Sequence, residues 1–184
     1  IYMGHGKARN LAAVAPHFLS KGDRVKEAVE AGKLFLVTGD ARLLFGRSFG
    51  TFDGREQAGI GLFDYTAVET GQVFTGDVVA RAAFDPSLIT YGFINRTSYL
   101  VGKNQHPLFQ VIQGPGDGDH PDNMEGTLYK NFFGTWQMGP ILPRNPGLLR
   151  EILRRLVGDD FQDYDDALER KALALTLKEF KLDL

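Results

Sequence analysis

The chain has 184 residues, 43% of them hydrophobic and 24% charged, with a formal net charge of −2. This is enough for one domain with a sizeable core, and the balanced charge, without a basic block, argues against a nucleic-acid partner. No apolar run approaches the roughly 18 residues of a membrane span, no signal-peptide pattern is present, and the absence of cysteine removes disulfides, thiolate metal sites and thiol nucleophiles together. These features fit a cytoplasmic protein without membrane insertion, and no cofactor is implied.

Ile1-Tyr2-Met3 reads as the end of a strand, which leads us to expect a preceding segment that this chain lacks. Gly4-His5-Gly6-Lys7 follows as a turn. Leu11 to Leu19 reads as a helix interrupted near Pro16. Asp23 is placed as the cap of a second helix, whose apolar face is Val25, Ala28 and Val29 and whose end is Gly32. Leu34–Val37 reads as a buried strand, and Thr38-Gly39-Asp40 turns it into a helix from Ala41. A strand breaking through a glycine into a helix is the geometry that raises a nucleophile out of an α/β sheet.

From Gly46 onward the pattern is strand-rich. Ile60–Thr66, Val73–Ala82, Leu88–Ile94, Ser98–Val101, Leu108–Gln113, Thr127–Asn131 and Phe133–Met138 read as strands between Gly, Asp and Pro turns. A helix is predicted over Gly147–Val157, and a last helix, about 163–184, carries a broad apolar face suited to docking on the domain or on a partner. The whole reads as a single α/β domain over 1–184. It has three layers, a mostly parallel central sheet, helices on both faces, and a ligand crevice at the carboxyl ends of the strands.

Several residues invite a chemical reading. Thr38 sits where an elbow nucleophile would, but a threonine hydroxyl needs an adjacent base, and the plainer reading is that Thr38 or Asp40 caps the helix. Gly4-His5-Gly6-Lys7 resembles a phosphate cradle without the P-loop spacing, which favours a structural turn. Asp117, Asp119, His120 and Asp122 form an acidic turn that fails the EF-hand pattern at Pro121 and reads as solvated loop. Of His5, His17, His106 and His120, none has metal spacing, and only His5 falls near the elbow. Met138 reads as a packing or pocket-lining residue.

These segments, taken in order, resemble class I glutamine amidotransferase domains of the cobyric-acid-synthase-like branch, and most of all the glutaminase subunits of lipid II isoglutaminyl synthase. The resemblance runs from about Met3 to the final helix. It is carried by Gly4-x-Gly6, the elbow, Thr75-Gly76-Asp77, Gly92-Phe93-x-Asn95, Glu125-Gly126, Tyr129-Lys130-Asn131 and Gly134-Thr135-x-x-x-Gly139-Pro140-x-Leu142-Pro143-x-Asn145. It implies a flavodoxin-like domain lacking its first strand and helix.

The departures fall on the chemistry. The family's elbow is Cys-Gly-Gly-x-Gln; here it is Thr38-Gly39-Asp40-Ala41-Arg42. The family's base is the histidine of His-Gly-Pro; here Met138 precedes Gly139-Pro140. The arginine thought to hold the substrate glutamine is replaced by Val73, and the Glu-Asn-His-Gly-Gly-Arg stretch becomes Ile94-Asn95-Arg96-Thr97-Ser98-Tyr99. Thiolate attack needs a sulfur nucleophile poised by an imidazole. The resemblance therefore implies a cell-wall-precursor amidotransferase subunit without glutaminase activity, partnered by a Mur-ligase-like subunit. The alternative is a small-molecule binding domain whose former glutamine pocket is formed by Gly4, His5, Gly6, Gly39, Asp40, Arg42, Val73, Asn95 and Arg96, with Arg42 able to bind an anion. A divergent hydrolase using Thr38 with His5 or another base is a third reading.

Overall fold

The fold was analysed in a computed structural model, which describes residues 1–6, 8–118 and 123–182. The chain begins with β1 (Tyr2–Met3), two helices α1 (Ala8–Leu19) and α2 (Gly22–Glu30), and β2 (Phe35–Thr38). A 3-10 turn over Gly39–Phe45 follows, then a hairpin of β3 (Ser48–Gly50) and β4 (Glu56–Ala58). Next come β5 (Tyr65–Ala82), β6 (Ile89–Gly102), β7 (Pro107–Gln113), β8 (Met124–Tyr129) and β9 (Phe132–Thr135). Helices α3 (Ile141–Arg144), α4 (Pro146–Val157) and α5 (Ala167–Glu179) close the described chain.

The strands form one nine-stranded sheet of order β1-β2-β9-β8-β7-β5-β3-β4, with β6 on the other edge of β5. Parallel pairing is confined to β1–β2, β2–β9 and β3–β5; the other five pairs are antiparallel. The expectation of a mostly parallel sheet is thus corrected to a mixed one. The reason is the length of the central hairpin. Strands expected over 60–66 and 73–82 join into β5, and those over 88–94 and 98–101 join into β6, with a register shift between Glu69 and Phe74. A bulge bends a strand without ending it, and the Gly71 turn signal that suggests two strands marks that bend instead.

Other boundaries moved for local reasons. Pro16 lies inside α1 without ending it. Asp23 sits within the first turn of α2, one residue past the start, rather than at its cap. The docking face expected on α5 is not buried: the helix has no buried residue, and Leu168 is 76% exposed.

One core cluster runs through the sheet. At its centre Phe35, Phe45, Phe63 and Phe132 pack edge-on or tilted, with Phe45–Phe132 and Phe63–Phe132 centroids 4.8 and 4.9 Å apart. This cluster ties β2 and β9 to the 3-10 turn, so the elbow is held on rigid elements. Among the described residues, no helix is long and apolar enough to cross a membrane.

Candidate functional site

The two short parallel strands β1 and β2 and the end of β9 bring three loops to one end of the sheet. Met3 pairs with Val37, and Thr38 pairs with Thr135. Gly4-His5-Gly6 therefore leaves the sheet beside the elbow, and Met138 lies three residues past Thr135, the last residue of the neighbouring strand. Met138 is anchored there by its backbone N–H, which donates to the Phe93 carbonyl at 2.9 Å.

The elbow itself is tight. Gly39 has φ +60°, and a Cβ built on it would lie 2.6 Å from His5 Nδ1 and 2.7 Å from His5 Cβ. Glycine is thus required twice over, for the left-handed backbone and for the close approach of His5. His5 Nδ1 accepts a long hydrogen bond from the Asp40 N–H at 3.4 Å and stands 3.9 Å from Asp40 Oδ2. Thr38 occupies the cap position with extended backbone and is 1% exposed, yet its side chain makes no capping hydrogen bond. The expected role of Thr38 as a helix cap is therefore not realised, and Asp40 lies inside the turn rather than ahead of it.

Asp40 lines a cleft of about 500 Å³ between α1, the elbow, the β3–β4 hairpin and the middle of β5 and β6. Burial pushes its carboxyl up to about 6, with His5 opposing and the charge of Glu69 adding to the rise. Glu69 is fixed across the cleft by three donors: the Gly71 N–H at 3.0 Å, Thr97 Oγ1 at 2.7 Å and Ser98 Oγ at 3.3 Å. Neither Glu69 nor the β3–β4 hairpin is singled out by sequence, because only the register of a bent strand brings residue 69 opposite residue 40.

Two expected pocket residues belong to the core instead. Arg42 is fully buried and holds Asp117 with two hydrogen bonds, Nη1 to Oδ1 at 2.8 Å and Nη2 to Oδ2 at 3.2 Å, with Glu125 Oε1 at 3.5 Å. An anion from solvent has no access to it, and the charge is already met, so the reading of Arg42 as an anion-binding group is corrected. Arg96, also buried, donates to the carbonyl oxygens of Ser98, Gly116 and Gly118 and lies over the rings of Phe74 and Trp136. Its donors hold the 116–118 loop rather than facing a pocket.

Val73 is 62% exposed beside the bulge of β5, and Asn95 is exposed on β6; neither lines the cleft. Asp117, expected in a solvated loop, is buried by its pairing with Arg42; Lys7, Asp119, His120, Pro121 and Asp122 lie outside the described residues.

The buried acid Glu125 is the other half of this network. It accepts from Thr135 Oγ1 at 2.7 Å, Trp136 N–H at 2.6 Å and Gln137 Nε2 at 3.3 Å. It therefore clamps the three residues that lead to Met138, while Arg42 belongs to the elbow turn. Burial and then the charge of Asp117 push the Glu125 carboxyl up to about 7, against the pull of Arg42 and the donors of Trp136 and Thr135.

No protein-family model matches the chain. Two curated proteins are similar to it along nearly its whole length. A lipid II isoglutaminyl synthase (glutamine-hydrolyzing) subunit GatD of Staphylococcus aureus (strain N315) is 31% identical over 182 residues, covering 97% of this chain and 67% of that protein. The protein of the same name from Streptococcus pneumoniae (strain ATCC BAA-255 / R6) is 28% identical over 179 residues, covering 92% of this chain and 68% of that protein. With that identity and coverage, and with a glycine elbow at the sheet end, the chain belongs to the GatD family of lipid II isoglutaminyl synthase subunits.

Proposed function

We propose that this chain is a GatD-family subunit that has lost glutaminase chemistry and serves as a non-catalytic, cytoplasmic partner of a Mur-ligase-like subunit in cell-wall precursor amidation. One observation carries the reading: Thr38, at the position expected for the family's thiol, ends β2 beside the end of β9, and Met138, at the position expected for its imidazole, lies three residues beyond that neighbouring strand end. A frame with that arrangement would hold the reacting pair, and this chain supplies neither member. With no cysteine anywhere in the 184 residues, no other thiol can substitute. Among the described residues His5 is the imidazole beside the elbow. It contacts Gly39 and Asp40, and no hydrogen bond joins it to Thr38 among the described residues. The same reading assigns the domain the class I amidotransferase layout, with Gly4, His5, Gly6, Gly39 and Asp40 as the remnant of the substrate site.

In this role the subunit stabilises or regulates its partner, and free ammonia replaces glutamine as the nitrogen source. The test is amidation of the lipid-linked precursor by the tagged complex purified from its native cell. The proposal expects a ligase-like partner to co-purify and amidation to proceed with ammonium but not with glutamine. Glutamine-supported amidation at a rate comparable to that with ammonium refutes it, as does a chain recovered as a solitary monomer.

A further inference from the structure

We propose that the cleft beside the elbow binds an organic cation: a primary ammonium carried on an apolar body. The proposal concerns the cleft alone and stands whether or not glutamine chemistry is lost, since neither Thr38 nor Met138 contributes to the lining.

The cleft, at about 500 Å³, is of the size that holds a small molecule. Its walls divide into two chemistries. Leu11, Leu43 and Phe49 supply an apolar surface, and Phe52 stands at the rim, 85% exposed at the tip of the β3–β4 hairpin. A large aromatic side chain left in water next to a cavity is stabilised by any ligand that covers it. The same cleft is lined by the carboxyl groups of Asp40 and Glu69. Glu69 is oriented by its three donors. The Asp40 carboxylate is different: its side chain is 17% exposed, and no described residue donates a hydrogen bond to it. A half-open carboxylate that accepts from no described residue is free to take a donor from a ligand in the cleft.

The sign of that partner follows from the rest of the lining. Among the described lining residues the one cationic side chain is Arg55, which is 83% exposed and already paired with Asp53 at 2.9 Å. A free anion, or the α-carboxylate of a zwitterionic amino acid, meets no unpaired cation among the described lining residues and faces the carboxyl groups of Asp40 and Glu69. An ammonium placed between Asp40 and Glu69 instead supplies the missing donors and removes the repulsion that helps to raise Asp40. Its apolar body then lies against Phe49 and Phe52, where the cation also gains from the ring faces.

The experiment uses the full chain and three probes of defined charge: phenethylammonium, 3-phenylpropionate of similar shape, and glutamine. Binding is followed by calorimetry and by ligand-observed NMR at neutral pH. Phenethylammonium is expected to bind saturably, with 3-phenylpropionate and glutamine showing no saturable binding at millimolar concentration. Asp40→Asn should weaken the cation by at least about tenfold, the loss of a charge-assisted contact. Ala12→Phe, which adds a ring to the cleft wall on α1 and leaves both acids in the sequence, should abolish binding and keeps the test decisive if Asp40→Asn does not fold. Equal binding of the cation and anion probes overturns the proposal. So does cation binding that survives Ala12→Phe, or no saturable binding of phenethylammonium at all.

Discussion

Thr38 and Thr135 stand side by side in register as the last residues of the parallel strands β2 and β9. The elbow begins at the first of them, and the path to Met138 begins at the second. The elbow residue Thr38 and the segment leading to Met138, the two positions on which the proposed loss of chemistry rests, therefore start from adjacent strand ends. Their separation in sequence, 100 residues, is closed by a four-residue parallel ladder.

That edge is held from beneath by the Arg42–Asp117–Glu125 network, and removing its one cation should be costly. Arg42→Met leaves two buried carboxylates without a counter-charge. The expected loss is about 3–5 kcal/mol of unfolding free energy by denaturant titration. A loss below about 1 kcal/mol would show that the carboxylates relax to solvent or take up protons without penalty.

The same burial gives stability a definite pH dependence. Glu125 and Asp40 have folded-state values of about 7 and about 6, above the ordinary carboxyl values of 4.5 and 3.8. Between the unfolded and folded values the native state holds protons that the unfolded chain has released. Stability therefore falls as pH rises through that window, from about 4 to 7. The exposed acids Glu30, Asp53 and Asp85 and the buried Asp166 are shifted down by hydrogen bonds and ion pairs, so they act in the opposite direction and at lower pH. Urea titrations should give a lower unfolding free energy at about pH 8 than at about pH 5, with a flatter profile in Glu125→Gln. A wild-type profile that climbs across this range contradicts the assignment.

Gly39 and His5 should be energetically coupled. Gly39→Ala places a Cβ both in a left-handed backbone and inside the His5 ring, and is expected to destabilise by at least about 1 kcal/mol. In a His5→Ala background the steric part disappears and the backbone part remains, so the penalty shrinks. Strict additivity in a double-mutant cycle, read from thermal or denaturant unfolding, would mean that the imidazole does not pack on the elbow.

Much of this edge is legible in the sequence. The elbow, β2 and the placement of His5 follow from local signals: an apolar run, a glycine and a short connecting loop. The mixed character of the sheet is not legible, because the strand signals on either side of Gly71 are broken by turn residues that in fact form a bulge. Arg42 shows the same limit from another direction. A basic residue one turn past an elbow invites an anion, and only the return of β8 and of the loop at Asp117 reveals two carboxylates already waiting for it. Glu125-Gly126 carries a resemblance in sequence, but its role as the clamp on residues 135–137 depends on pairing between β8 and β9.

The central claim, an amidotransferase frame emptied of its reacting groups, is tested most directly by ammonia release from glutamine. The measurement compares the purified complex containing the wild-type chain with the same complex carrying Thr38→Ala. The account predicts no release above background in either. Sustained turnover that Thr38→Ala abolishes would contradict it.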